Sequence, residues 1–267
     1  MIEINFIIDY HIHSTFSHDG KSSIEEICSA AIRKKIDEIC FTEHISATHA
    51  SPCCHNLNME EYSKEIERCK DLFQEILIIK KGIELGEPHL NSQELIQYTS
   101  DKTLDFVLGS IHFIDDIDLV CFADDKNLEE SYIAYFEEVY NSVSEGDFDV
   151  LGHFDLLKRY AFDLHGKYKH GDLEELIHEI LRKASQRNIG IEINTSGFRS
   201  SSLEIFPSQL ILQDYIELGG EIITVGSDSH TAETVGNNIP PVYLMLKQLG
   251  FKHVYTFDKR NPAGIKI

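Results

Sequence analysis

Short apolar runs, each about the length of a β-strand, alternate along this chain with longer segments in which apolar residues recur every three or four positions. The runs predict strands over Ile4–His13, Glu38–His44, Leu77–Gly86, Phe106–Phe113, Val150–Phe154, Gly190–Ser196, Ile222–His230 and Val254–Phe257. The interleaved periodicity predicts helices over Ile24–Ile36, Met59–Glu75, Ser92–Ser100, Leu128–Ser144, Leu173–Arg187, Ser208–Leu218 and Val242–Leu249. End signals agree with these spans. Ser23-Ile24-Glu25-Glu26 reads as a capping box, and Asp172-Leu173-Glu174-Glu175 has the same form with an Asp cap. Gly219-Gly220 and Gly250 stand where helices should stop. Strands alternating with helices imply a mainly parallel α/β sheet, either doubly wound or closed into a barrel. No linker, low-complexity tract or short repeat interrupts residues 1–267, so one domain is the economical reading.

Charge narrows the function. Against 24 Lys and Arg stand 45 Asp and Glu, a formal net charge of −21. Such a surface repels polyanions, so no nucleic-acid partner is expected, while a small anionic substrate fits if the site supplies its own positive charge. Met1–Ile8 carries no basic leader region and no apolar stretch is long enough to cross a membrane, so no membrane partner and a cytoplasmic location are expected. Cys28, Cys40, Cys53, Cys54, Cys69 and Cys121 form no C-x-x-C pair and read as reduced thiols.

The chemistry gathers at strand ends. Residues two apart on a strand share a face, so His11 and His13 can bind one metal ion, and Asp228 and His230 repeat that spacing. Strand two ends in Thr42-Glu43-His44, strand three in Gly82-Ile83-Glu84 and strand four in Ser110-Ile111-His112, and strand five holds Gly152-His153. In a closed parallel barrel those ends meet at one mouth, whereas an open sheet would string them along an edge. The pattern therefore selects the barrel. Six imidazoles and three carboxylates in one mouth need cations between them, and mixed N/O ligation suits two or three Zn²⁺, Mn²⁺ or Fe²⁺ ions. Arg159 follows His153, and Arg199 follows strand six in Asn194-Thr195-Ser196-Gly197-Phe198-Arg199. Both read as loop residues whose guanidinium forks suit phosphate oxygens. The remaining histidines, His49, His55 and His89 in loops and His165, His170, His178 and His253 elsewhere, read as bland or exposed, as does His18. Asp115-Asp116-Ile117-Asp118 reads as a solvated loop.

His11-Ile12-His13, Asp19, Thr42-Glu43-His44, Gly82-Ile83-Glu84, Ser110-Ile111-His112, Gly152-His153 and Ser227-Asp228-Ser229-His230 follow, in order, the motifs of the polymerase and histidinol phosphatase (PHP) superfamily. The chain most resembles its monofunctional histidinol-phosphate phosphatases. The resemblance implies a distorted (β/α)7-type barrel with a metal site at the C-terminal ends of the strands. It implies one metal held by His11, His13, Glu84 and Asp228, a second by Glu84, His112 and His153, and a third by Asp19, His44 and His230. Many family members carry His where this chain has Asp19. Arg159 and Arg199 would bind phosphate, and His230 or a coordinated water would protonate the leaving group of a small phosphomonoester, histidinol phosphate foremost. A nuclease or nucleotide phosphatase is the rival within enzymes, and a non-catalytic metal-binding protein the rival outside them. The two arginines speak against the latter, because storage needs no anion receptor.

Overall fold

The computed structural model describes residues 6–54, 56–90 and 92–267, so residues 1–5, His55 and Asn91 lie outside it, together with the first two positions of the strand expected from Ile4. Seven parallel strands form the centre: β1 (Ile8–Ile12), β2 (Glu38–Ser46), β3 (Ile78–Gly86), β4 (Phe106–Ser110), β5 (Val150–Leu151), β6 (Gly190–Asn194) and β7 (Ile223–Gly226). Each pairs with the next in that order. A parallel bridge between Ile12 and Ser229 joins the first strand to the chain just beyond the last, and the His13 N–H donates to the Ser229 carbonyl at 2.7 Å. The sheet thus curls into a nearly closed barrel.

The strands are largely buried on both faces, against helices outside and side chains within, which is why apolar residues dominate them. Ile8, Tyr10 and Ile12 alternate with Asp9 and His11 along β1, and all five are buried. The first helix, α1 (Ile24–Arg33), shows how the outer layer is built. Ile24, Ile27, Cys28 and Ala31 recur at helical spacing and are buried. At its start Ser23 accepts the Glu26 N–H, while the Glu26 carboxylate accepts the Ser23 N–H at 2.8 Å, completing the expected capping box.

Departures from the expected spans have local causes. The strand expected over Val150–Phe154 is only β5, because His153 turns to a positive φ of 20°. The strand expected to His230 stops at Gly226, ahead of Asp228 at φ 51°. The strand expected over Phe106–Phe113 ends at Ser110, and Phe113–Ile114 pairs antiparallel with Ile117–Asp118 instead. The acidic stretch is therefore the tip of a small hairpin, and Asp118 caps an unforeseen helix, Leu119–Asp125, by accepting the Val120 and Cys121 N–H groups at 3.0 Å each. A helix over Lys158–His165 was likewise unforeseen, and Arg159 lies in its first turn rather than in a loop. Asp172 sits inside the first turn of the helix His170–Gln186, whose N-cap is Lys169, so it does not occupy the expected cap position. The expected strand at Val254–Phe257 is one arm of an antiparallel hairpin, His253–Asp258 with Asn261–Lys266. That hairpin covers the N-terminal ends of the barrel strands. Phe257 packs 4.9 Å from Phe106, the Phe257 N–H donates to Tyr10 Oη at 2.9 Å, and Arg260 pairs with Asp149 at 3.0 Å.

Candidate metal centre

The opposite end of the barrel holds the chemistry. Glu84, on β3 and fully buried, is its hub. Oε2 lies 2.9 Å from His44 Nδ1, 3.3 Å from His11 Nε2 and 3.4 Å from His13 Nε2. Oε1 lies 3.0 Å from His153 Nε2 and 3.4 Å from His112 Nε2, and accepts the Ser110 hydroxyl at 2.6 Å. Asp228 stands across from it, with Oδ1 3.7 Å from His11 Nε2, 3.8 Å from His13 Nε2 and 3.6 Å from His230 Nδ1. Asp19 closes the third side, with Oδ2 3.0 Å from His230 Nε2 and 3.6 Å from His44 Nε2. All nine residues expected at the site therefore converge.

Electrostatics within this group are strained. Burial opposes a charge on Glu84, yet His11, His112 and His44 outweigh it and hold the carboxyl well below the usual carboxylate range. Burial likewise opposes the Asp228 charge, and His11, Arg159 and His230 hold it down. Burial, followed by His44 and His230, pushes the His13 imidazole well below its ordinary value. Burial also works against charging His11, but Glu192, Glu84 and Asp228 raise it. His11 Nε2, His13 Nε2, Asp19 Oδ1 and Glu84 Oε2 are buried without a hydrogen-bond partner. Orphaned imidazole nitrogens facing orphaned carboxylate oxygens are costly unless a cation lies between them. Four overlapping triplets have ligand atoms within 4.8 Å of one another: His11/His13/Asp228, His11/Glu84/His153, His44/Glu84/His112 and His13/His44/His230. The donor set fits divalent cations with mixed N/O preference.

The two arginines separate. Arg159 lines the cavity of about 230 Å³ in front of the cluster, and its Nη2 donates to Asp228 Oδ2 at 2.9 Å and to Ser196 Oγ. Arg199 ends a 3-10 turn, Thr195–Arg199, and its Nη2 donates to the Ser227 and Asp228 carbonyls at 2.7 and 3.0 Å. It braces the chain beyond β7 rather than lining the cavity. Of the histidines expected to be bland, His18 sits at the rim, half-exposed, with Nδ1 3.0 Å from Cys53 Sγ. His89, expected to be exposed, is instead largely buried, 2.7 Å from Glu138.

Four buried acids beneath these candidate ligands were missed. Glu43 accepts the Ser14 and Ser17 hydroxyls at 2.6 Å each, and Ser17 Oγ in turn accepts the His44 N–H at 3.0 Å. Glu87 accepts the His112 N–H at 2.7 Å, and Asp9 accepts the Ser227 N–H at 2.8 Å. Glu192 meets His11 Nδ1 at 2.7 Å. A charged residue inside an apolar strand run, as in Gly190-Ile191-Glu192-Ile193, was the available signal.

Comparison with known proteins agrees with this geometry. The sequence profile of the PHP domain family matches residues 9–196. A histidinol-phosphatase of Lactococcus lactis subsp. lactis is 32% identical over 264 residues, covering 97% of this chain and 96% of that protein. A probable histidinol-phosphatase of Clostridium acetobutylicum is 30% identical, covering 95% and 98%. The crystal structure of the Lactococcus lactis histidinol phosphate phosphatase, complexed with Zn, L-histidinol and phosphate, matches with a TM-score of 0.87 at 30% identity, covering 96% of this chain and 98% of that one.

Proposed function

The chain belongs to the PHP domain family, and from that premise we propose that it is a metal-dependent phosphomonoesterase that hydrolyses L-histidinol phosphate to L-histidinol and phosphate, as one barrel domain over 1–267. The observation that carries this reading is the convergence of nine His, Asp and Glu side chains on one mouth, with orphaned buried ligand atoms and a guanidinium beside them. Full-length similarity to a histidinol-phosphatase supports the choice of substrate.

His11, His13, Glu84 and Asp228 would hold one cation, Glu84 with His112 and His153 a second, and Asp19 with His44 and His230 a third. Zn²⁺, Mn²⁺ and Fe²⁺ are the candidate ions. When bound, such ions offset the charge of the phosphoryl oxygens and lower the pKa of water towards ~7. The protein's part is to bind and orient. Arg159, its guanidinium fixed by Asp228 and Ser196, offers charge-assisted hydrogen bonds to phosphoryl oxygens at the cavity wall. Arg199 holds the Ser227 and Asp228 carbonyls and so keeps Asp228 in place. His230, whose Nε2 lies 3.0 Å from Asp19, would either bind the third cation or, where free of metal, pass a proton to the departing alkoxide. Leu119, Leu156 and Phe113 give the mouth an apolar lining.

The acidic surface supports a small dianion over a nucleic-acid strand, which would have to lie across repelling charge outside the mouth. A phosphate-release panel tests the assignment, comparing histidinol phosphate with AMP, sugar phosphates and short single-stranded DNA. The highest kcat/KM is expected for histidinol phosphate. A higher value for AMP or DNA would replace this reading with a nucleotidase or nuclease.

A further inference from the structure

Glu192 is fully buried behind the site, in the middle of β6 between Ile191 and Ile193. Its Oε1 lies 2.7 Å from His11 Nδ1, and its Oε2 accepts the His153 N–H at 2.8 Å and Asn194 Nδ2 at 3.2 Å. A carboxylate only accepts, so the hydrogen of the 2.7 Å contact sits on His11 Nδ1, and whenever the ring is neutral, as a metal ligand must be, its lone pair is on Nε2. That nitrogen is orphaned, and it faces Glu84 Oε2 at 3.3 Å and Asp228 Oδ1 at 3.7 Å. Gly226 on the neighbouring strand leaves the pair no slack. A Cβ there would fall 2.3 Å from Glu192 Oε1 and 2.4 Å from His11 Cβ.

We infer that Glu192 is a positioning residue for the metal centre. It selects the Nδ1–H tautomer of His11, aims Nε2 at Glu84 and Asp228, and with its second oxygen fixes the His153 backbone at the turn that ends β5. The inference rests on the metal-dependent reading above. An amide of the same shape cannot do this. With its oxygen on His11 its NH₂ meets the His153 N–H, donor against donor, and with its NH₂ on His11 it selects the wrong tautomer.

The test uses the full chain, stripped of metal by a chelator and titrated with Zn²⁺ against a chromophoric competitor, with melting temperatures read with and without Zn²⁺. Glu192→Gln should bind Zn²⁺ roughly 10–100-fold more weakly than wild type, the usual consequence of losing the partner of a metal-binding histidine. The Zn²⁺-induced rise in melting temperature should shrink accordingly. Glu192→Asp keeps the charge but is one methylene too short to reach both His11 and His153, so it should weaken binding as well. A purely structural role would lower both melting temperatures together and leave affinity alone. Wild-type affinity in Glu192→Gln, or in Glu192→Asp if the former does not fold, overturns the inference. A wild-type chain that takes up no Zn²⁺ overturns the metal-dependent reading instead.

Discussion

Arg159→Ala should separate phosphate recognition from metal binding. The guanidinium stands at the cavity wall, oriented by Asp228 at 2.9 Å and packed with Cζ 5.4 Å from the Phe206 ring centroid. Removing it costs the charge-assisted hydrogen bond it offers to a phosphoryl oxygen, about 1.5–3 kcal/mol. At about 1.4 kcal/mol per decade this is a roughly ten- to 150-fold loss in kcat/KM. Asp228 keeps the Ser196 hydroxyl at 3.0 Å and the imidazoles of His11, His13 and His230, so its carboxylate stays compensated and the metals stay bound. Inhibition by inorganic phosphate should weaken in parallel, because the product keeps the same oxygens. Arg159→Lys should recover part of the loss, since it restores the charge but not the fork. Arg199→Ala should cost less, because that side chain braces the Ser227 and Asp228 carbonyls from outside the cavity lining. The assay is phosphate release from histidinol phosphate, with metal content measured on the same samples. Unchanged kcat/KM in metal-replete Arg159→Ala would refute the reasoning, as would a loss matched throughout by missing metal.

Other outcomes follow from the same geometry. Glu84→Gln leaves five imidazoles facing an amide, so bound metal and turnover should fall together, and near-normal turnover with full metal content would remove Glu84 from the site. Chelation should abolish turnover and lower the melting temperature, with both recovering on adding Mn²⁺ or Zn²⁺; a ligand at 100 times its Kd stabilises by about 2.7 kcal/mol. Away from the site, burial pushes the Asp149 carboxyl up to about 6 despite Arg260. A raised carboxyl pKa favours the protonated form in the fold, so this contribution is full below about 4, the unfolded value, and is lost as pH rises through about 6. Relative to Asp149→Asn, wild type should therefore lose roughly 2–3 kcal/mol of stability over that window, as measured by urea unfolding. A flat difference would show that Arg260 keeps Asp149 ionised.

The sequence was legible where one physical rule dominated. Strands buried on both faces leave largely apolar runs, so β2 and β3 were found nearly to the residue, and the polar residues near the end of each run gave the candidate ligands. It was illegible where a side chain or a single φ decided the outcome. His153 and Asp228 leave the extended region although neither is Gly or Asn, so β5 and β7 were drawn too long. The helix carrying Arg159 begins without a capping side chain, which left no start signal. Glu192, Glu87 and Asp9 act through partners from other parts of the chain, pairings that exist only once the sheet has formed.

The seam between β1 and the segment after β7 has a bearing on how the chain is made. His11 and His13 lie on one side of that seam and Asp228 and His230 on the other, and Asp9 and Ser227, which tie the two edges together, are 218 positions apart. Contacts of such long range form late, after the entropy of closing the intervening chain has been overcome. A growing polypeptide that has not yet emitted its last barrel strand therefore lacks Asp228 and His230, and with them the ligand sets that span the seam. The cations proposed to need Asp228 or His230 would wait until synthesis has passed residue 230. A cation on those residues would act as a clasp on a finished ring rather than as a seed for an unfinished one.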